Sequence, residues 1–232
     1  KMDLKEFEHE AKQLGMSKEH QQMLSNASIR ERLSREQMLY INMVHEIEVM
    51  AHSQNVSVKN MLDDVYRSSV YKSAYTAQTQ RGSYSMINSI DGKRVDSVIN
   101  SQWANDGQDF SSRIWSDKVK LVANLQNDFT QALMIGQGAD TMAGNLSKRM
   151  KTSYSNAKRL VETEMARVYE QGFLDSMAEL DVDKLEILAT LDSHTSPICR
   201  RMDRKIVRRV DAKPGVTVPP FHCYCRSTTI PY

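Results

Sequence analysis

The first 196 residues contain no proline, and all five prolines (Pro197, Pro214, Pro219, Pro220 and Pro231) lie in the last 36 positions. Proline removes a backbone donor and collides with the preceding turn, so a long stretch without it leaves helices free to run. Eight of the nine glycines are spread thinly over that same stretch. The distribution predicts a helical body followed by a C-terminal segment of different character.

Hydrophobic spacing supports this division. Ser28 with Glu31 and Ser34 with Gln37 are two candidate capping boxes, and Tyr40, Val44, Ile47 and Ala51 then recur at helical intervals. A second stripe, Trp115, Val119, Val122, Phe129 and Leu133, runs to Gly136 and Gly138, where glycine can close a helix. A third passes through Ala157, Val161, Met165 and Val168 and starts near Thr152–Ser155, with Glu164 and Arg167 placed to pair one turn apart. Helices are predicted near 3–14, 28–52, 57–80, 110–134, 139–149 and 154–179. The 14 methionines read as adaptable core filler.

Past Asp183 the period changes. Leu185, Ile187, Ala189 and Leu191 alternate with their neighbours as the buried face of a strand would. Shorter strands are predicted at 205–210 and 227–230, with the turn-rich stretch Lys213–Phe221 between them. The expected fold class is mainly α, with an elongated helical N-terminal region followed by a small C-terminal α+β unit that carries a short antiparallel β element.

With 232 residues, 40% of them hydrophobic, the chain can bury a core in one or two domains. No apolar run approaches the roughly 18 to 20 residues that cross a bilayer, so no membrane partner is expected. No phosphate loop or dinucleotide fingerprint is present, which argues against ATP hydrolysis and hydride transfer. Net charge is only +2, but between Cys199 and Arg226 eight basic residues face two acidic ones. The run Arg200, Arg201, Arg204, Lys205, Arg208 and Arg209, with Arg226, reads either as a phosphate-contacting patch or as a solvated face that docks on an acidic partner. A weaker cluster, Lys148, Arg149, Lys151, Lys158 and Arg159, flanks the predicted helix start at Thr152–Ser155.

Potential metal ligands crowd into the last 41 residues: Asp192, His194, Cys199, His222, Cys223 and Cys225. Three cysteines are an odd number, all late in the chain, and fit a reducing compartment better than a disulfide framework. His222 and Cys225 form an H-x-x-C arrangement, and Cys199 would join them if the flanking strands close as a hairpin. With His194 or Asp192 they could complete a tetrahedral zinc site that staples a small unit. Free buried thiols beside a hydrogen-bonded histidine are the plainer alternative. A metal-dependent nuclease built on Asp192, His194, His222 and Cys225, with Arg226 and Asp203 nearby, is the alternative from the enzyme class.

The ordered strings Thr190-Leu-Asp-Ser-His-Thr-Ser-Pro-Ile-Cys199, Met202-Asp-Arg-Lys205, Lys213-Pro-Gly-Val, Pro219-Pro-Phe-His222 and Cys225-Arg-Ser-Thr-Thr-Ile-Pro-Tyr232 resemble the signature of phage minor head proteins, the Mu F-like or SPP1-type head morphogenesis family. Phe110–Trp115, Ser153–Leu160 and Thr163–Arg167 are similar to the family's helical part, so the resemblance runs from about residue 90 to the end. It implies a division into an N-terminal helical region, 1–105, and a head-morphogenesis domain, 106–232, with helices over 106–183 and the β unit over 184–232. It also implies a non-enzymatic, low-copy component of the tailed-phage head. Such a component binds the portal protein during assembly alongside other capsid or scaffolding proteins, contacts double-stranded DNA and aids its ejection. The implied location is the host cytoplasm during assembly, then the capsid interior near the portal. The resemblance carries over Asp192, Cys199, His222, Cys225 and Arg226, as a structural cluster. Where the family usually has arginine, glycine and proline, this chain has His194, Arg204 and Cys223; Arg204 is expected to break the turn at 202–206 that glycine would ease.

Overall fold

The computed structural model describes residues 4–29, 35–103, 106–135 and 139–232. Its order is α1 (Leu4–Gln13), α2 (Lys18–Ile29), α3 (Arg35–Arg81), α4 (Gly92–Ile99), α5 (Phe110–Ile135), α6 (Ala139–Glu179), β1 (Lys184–Leu188), α7 (Pro197–Met202), β2 (Ile206–Arg208) and β3 (Thr228–Pro231). The protein is mainly helical, with a long N-terminal helical region and a small antiparallel sheet at the end, as the proline distribution predicts. Among the described residues no helix is long and apolar enough to cross a membrane. The chain divides into two compact units, Lys1–Ser57 with Ser112–Ser155, and Val58–Ser111 with Asn156–Tyr232.

Two predicted interruptions are absent. The break expected between 52 and 57 is bridged by continuous α3. The residues there, Ser53, Gln54, Asn55 and Val56, are only modest helix formers, each costing a few tenths of a kcal/mol relative to alanine. The helix start expected at Thr152–Ser155 lies inside α6, because neither hydroxyl caps: Thr152 Oγ1 donates to the Lys148 carbonyl and Ser155 Oγ to that of Lys151. Ser28, expected to open a helix, instead sits in the last turn of α2 and donates to the Ser25 carbonyl at 3.1 Å. Glu31, Ser34, Gly136 and Gly138 lie outside the described residues. Three helices were not predicted: α2; α4, capped by Asp91 accepting from the Lys93 N–H; and α7.

In the first unit Phe7 and Ala11 of α1 pack with Leu24 and Ala27 of α2 and Ile41 of α3. A second cluster joins Val44 and Ile47 of α3 to Leu121 and Leu125 of α5. The α5 stripe is rotated from the predicted one, since Val119 is 59% exposed while Ile114, Leu121, Leu125 and Phe129 are buried. Trp115 and Val122 sit at its half-buried flanks. Methionine serves as filler at Met16 and Met177 but is exposed at Met86 and Met134.

In the second unit Phe173, Leu174 and Met177 of α6 pack with Ala74 and Ala77 of α3, Leu185 of β1 and Val218. Gly172 permits a close approach of these helices: a Cβ there would meet Ser69 Cβ and the Tyr66 carbonyl oxygen at 2.9 Å. Earlier along α6 the predicted apolar stripe, Ala157, Val161 and Met165, is only half-buried. The buried face there is the ion pair Glu164–Arg167, 3.0 Å apart at the predicted one-turn spacing. Arg167 also donates to the carbonyls of Val98 and Ile99 at the end of α4, and Trp103 Nε1 donates to Glu164. The ion pair and these three hydrogen bonds satisfy charges that burial alone would make costly.

β1 is the central strand, antiparallel to β2 on one side and to β3 on the other, with Leu185 opposite Val207 and Ile187 opposite Thr229. Leu185 and Ile187 are fully buried, as the alternation predicts. The strand ends earlier than expected, before Ala189 and Leu191, because the Ala189 N–H is taken by the Asp203 carboxylate at 2.8 Å and not by a neighbouring strand. β2 is shorter than 205–210, since Arg208 already pairs with the first residue of β1; a single 3-10 turn, Arg209–Asp211, follows.

Candidate functional site

Ser196 and Pro197 open α7. The serine hydroxyl accepts from the Cys199 N–H, and proline occupies the first turn, where its missing donor costs nothing. This short helix, and not a strand hairpin as the sequence reading expected, carries Cys199 inward to 3% exposure. On the other side a turn closed by the Cys225 N–H on the His222 carbonyl, with Tyr224 in the left-handed region (φ 59°), brings His222 and Cys225 to face it. Cys199 Sγ lies 3.1 Å from His222 Nε2 and 3.6 Å from Cys225 Sγ. One ligand atom from each of the three residues lies within 4.8 Å of the others.

The imidazole is oriented. Its Nδ1 is 2.7 Å from the Cys223 carbonyl, which can only accept, so the proton resides on Nδ1 and the Nε2 lone pair faces Ser196 Oγ at 2.8 Å and the Cys199 sulfur. Burial pushes the Cys199 thiol up, but its polar neighbours Ser196, Ser227, His222 and Cys225 together outweigh it and bring it down to about 7. Cys223 is exposed and outside the cluster.

Asp192 and His194, grouped with the thiols in the sequence reading, do not join this trio. The Asp192 carboxylate is bound by the Arg226 guanidinium at 2.7 Å, which holds it well below the usual carboxylate range. It also accepts from the His194 N–H, shaping the loop that leads into α7. His194 is exposed and lines a cavity of about 20 Å³ with Thr190, Ser196, Cys199, His222 and Ser227. Asp203, the other candidate base, is committed to the Ala189 N–H.

The seven basic residues fall into two groups. Arg204 pairs with Glu186, Arg208 with Asp211 and Arg226 with Asp192, so three cations are neutralised locally. Arg200 donates to the Thr195 and Asp192 carbonyls and Arg209 to the Val182 carbonyl, retaining their charge. Arg201 and Lys205 are exposed, and among the described residues no carboxylate pairs with them. In the weaker cluster Arg149 is held by Asp128. Arg204 adopts φ 63° at the turn between α7 and β2, the left-handed conformation that glycine takes without cost. The turn forms in this chain despite the arginine.

Sequence reasoning missed Ser196 and Tyr224. Ser-Pro before a short apolar run was a legible helix start; the left-handed Tyr224 has no local signal.

This arrangement defines a helical protein ending in a three-stranded sheet whose loops are gathered by two thiols and an imidazole. Residues 123–230, somewhat under half of the chain, match the family described as Phage Mu protein F like protein. The chain is 30% identical over 128 residues to the minor head protein GP7 of Bacillus phage SPP1, a match spanning 49% of this chain and 41% of that relative. Through this C-terminal half the chain is similar to the phage minor head family, as the motif strings predict. No solved structure matches it.

Proposed function

We propose that the protein is a structural minor component of a tailed-phage head, and that its C-terminal unit contacts the portal and packaged double-stranded DNA. The observation that carries this reading is coincidence: the family match covers the sheet, the thiol–imidazole cluster and all seven basic residues together. Assembly takes place in the host cytoplasm with capsid or scaffolding proteins, and the finished location is the capsid interior beside the portal. No catalytic step is needed, and the carboxylates a nuclease would use, Asp192 and Asp203, are both engaged in holding loops.

Of the seven basic residues, Arg200, Arg201, Lys205 and Arg209 are the four that no carboxylate pairs among the described residues. Neutralising about four phosphates gives a slope of log affinity against log salt of about −3 to −4, against about −6 if all seven engaged. Co-elution of the full chain with portal rings from the same phage is the expected result. Absence of a complex at micromolar protein in low salt would overturn the portal assignment; duplex binding independent of salt would overturn the DNA assignment.

A further inference from the structure

We propose that Cys199, His222 and Cys225 bind one zinc ion, through two thiolates and the imidazole Nε2. The inference goes beyond the head reading and does not depend on it.

The three donors come from places 23 and 26 residues apart in the chain, one from α7 and two from the turn at 222–225, yet they converge within 4.8 Å. In tetrahedral zinc, bonds of about 2.3 Å to sulfur and about 2.0 Å to nitrogen place neighbouring donors roughly 3.5 to 3.8 Å apart. The two sulfurs already stand 3.6 Å apart, and His222 Nε2, at 3.1 Å from Cys199, needs to withdraw by only about half an ångström. The histidine is prepared in the way metal-bound histidines are: its Nδ1–H is fixed on a backbone carbonyl, which leaves Nε2 free to ligate. Without an ion that lone pair, two thiols and the Ser196 hydroxyl share a single small space.

Two soft thiolates with an imidazole favour zinc over magnesium or calcium, which take oxygen ligands. Cys199 and His222 also line the cavity of about 20 Å³, which has room for one water as a fourth ligand. The charges close as well, since two thiolates balance the divalent ion and Arg226 remains with Asp192. Bound zinc would cross-link α7, which carries Arg200 and Arg201, to the segment that leads into β3, closing the intervening β2 and proline-rich loop into a ring.

The test uses the full chain, reduced and freed of metal, then titrated with cobalt(II) as a spectroscopic probe and with zinc in competition against a chromophoric chelator. One cobalt per chain is expected, with thiolate-to-cobalt charge transfer in the near ultraviolet and the intense visible bands of tetrahedral cobalt, both abolished by one equivalent of zinc. Cys223→Ser should retain every band, and Cys199→Ser should lose them. Because Cys199→Ser removes a buried group, Cys225→His serves as a second variant. It should still bind one cobalt, with charge transfer reduced about by half as one of two thiolates is replaced. Cobalt binding without charge transfer, equal spectra in the parent and Cys199→Ser, or a Cys199–Cys225 disulfide in protein purified under reductant would each overturn the proposal.

Discussion

Gly172 and Gly144 lie on the same helix, and the structure assigns opposite signs to the same substitution at each. At Gly172 an added Cβ would stand 2.9 Å from Ser69 Cβ and from the Tyr66 carbonyl oxygen, and 3.1 Å from Ser69 Oγ, all inside ordinary contact distance. Two of these neighbours are backbone or Cβ atoms of buried residues, so relief requires α3 and α6 to separate locally. Overpacking of this kind costs about 1 to 3 kcal/mol, and separation also stretches the 2.6 Å bond from Ser69 Oγ to the Tyr169 carbonyl, a loss of about 1 kcal/mol more. Alanine's helix advantage over glycine returns about 1 kcal/mol. The net for Gly172→Ala is therefore a destabilisation of about 1 to 3 kcal/mol. Around Gly144 nothing lies within 4 Å of the added Cβ, so Gly144→Ala keeps only the helix term and should stabilise by up to about 1 kcal/mol. Urea denaturation read by far-UV circular dichroism measures both, as midpoint shifts at constant slope. Ser69→Gly, which removes two of the three opposing atoms, should recover part of the loss in a double-mutant cycle. Equal stability of Gly172→Ala and the parent, or shifts of one sign for both variants, would refute the close approach of the two helices.

Arg204→Gly should raise the stability of the C-terminal unit by up to about 1 kcal/mol, because relief of the left-handed arginine exceeds the loss of an exposed ion pair to Glu186; a lower thermal midpoint would contradict this. Burial raises the Glu170 carboxyl to about 7 against the lowering effect of the Thr229 hydrogen bond, so the folded state holds its proton more tightly than the unfolded chain. That stability is complete below about pH 4.5 and is lost as pH rises through 7, by roughly 3 kcal/mol. Glu170→Gln should match the parent at pH 5 and exceed it at pH 8, and parallel thermal midpoints at the two pH values would sink the assignment. Burial, with His45 and Lys118 and against Glu48, lowers His20 to about 4, so the first unit should lose up to roughly 3 kcal/mol as pH falls from 6.5 to 4. Hydrogen exchange over residues 4–29 reads that slope, which His20→Gln should flatten; an unchanged slope would assign it to another group.

The fold was legible wherever local chemistry and burial agreed. Proline absence and apolar spacing announced the long helices, and the alternation at Leu185 and Ile187 announced the central strand. Boundaries failed where a polar side chain took a backbone partner the pattern does not reveal: Asp203 ends β1 from fourteen residues away, and Thr152 and Ser155 turn their hydroxyls back along α6. The α5 face was misplaced because Val119 and Leu121 are equally apolar, and only the partner surface decides which is buried.

The site divided along the same line. Cys199, His222 and Cys225 were recognisable by residue type, but which of the six candidate ligands meet depends on competition for them. Asp192 is an acidic donor near the cluster in sequence, and Arg226 lies next to Cys225. A carboxylate and a guanidinium that meet at 2.7 Å satisfy each other through charge-assisted hydrogen bonds, and that pairing removes Asp192 from the thiols. It also spends one of the cations that net charge counted towards DNA, as Glu186 and Asp211 spend two more. The basic count between Cys199 and Arg226 therefore overstates the charge available to phosphate. Replacing Asp192 with asparagine should release Arg226, steepening the salt dependence of duplex binding by about one unit, while leaving the trio's three donors in place. An unchanged salt slope would mean that Arg226 does not face the nucleic acid.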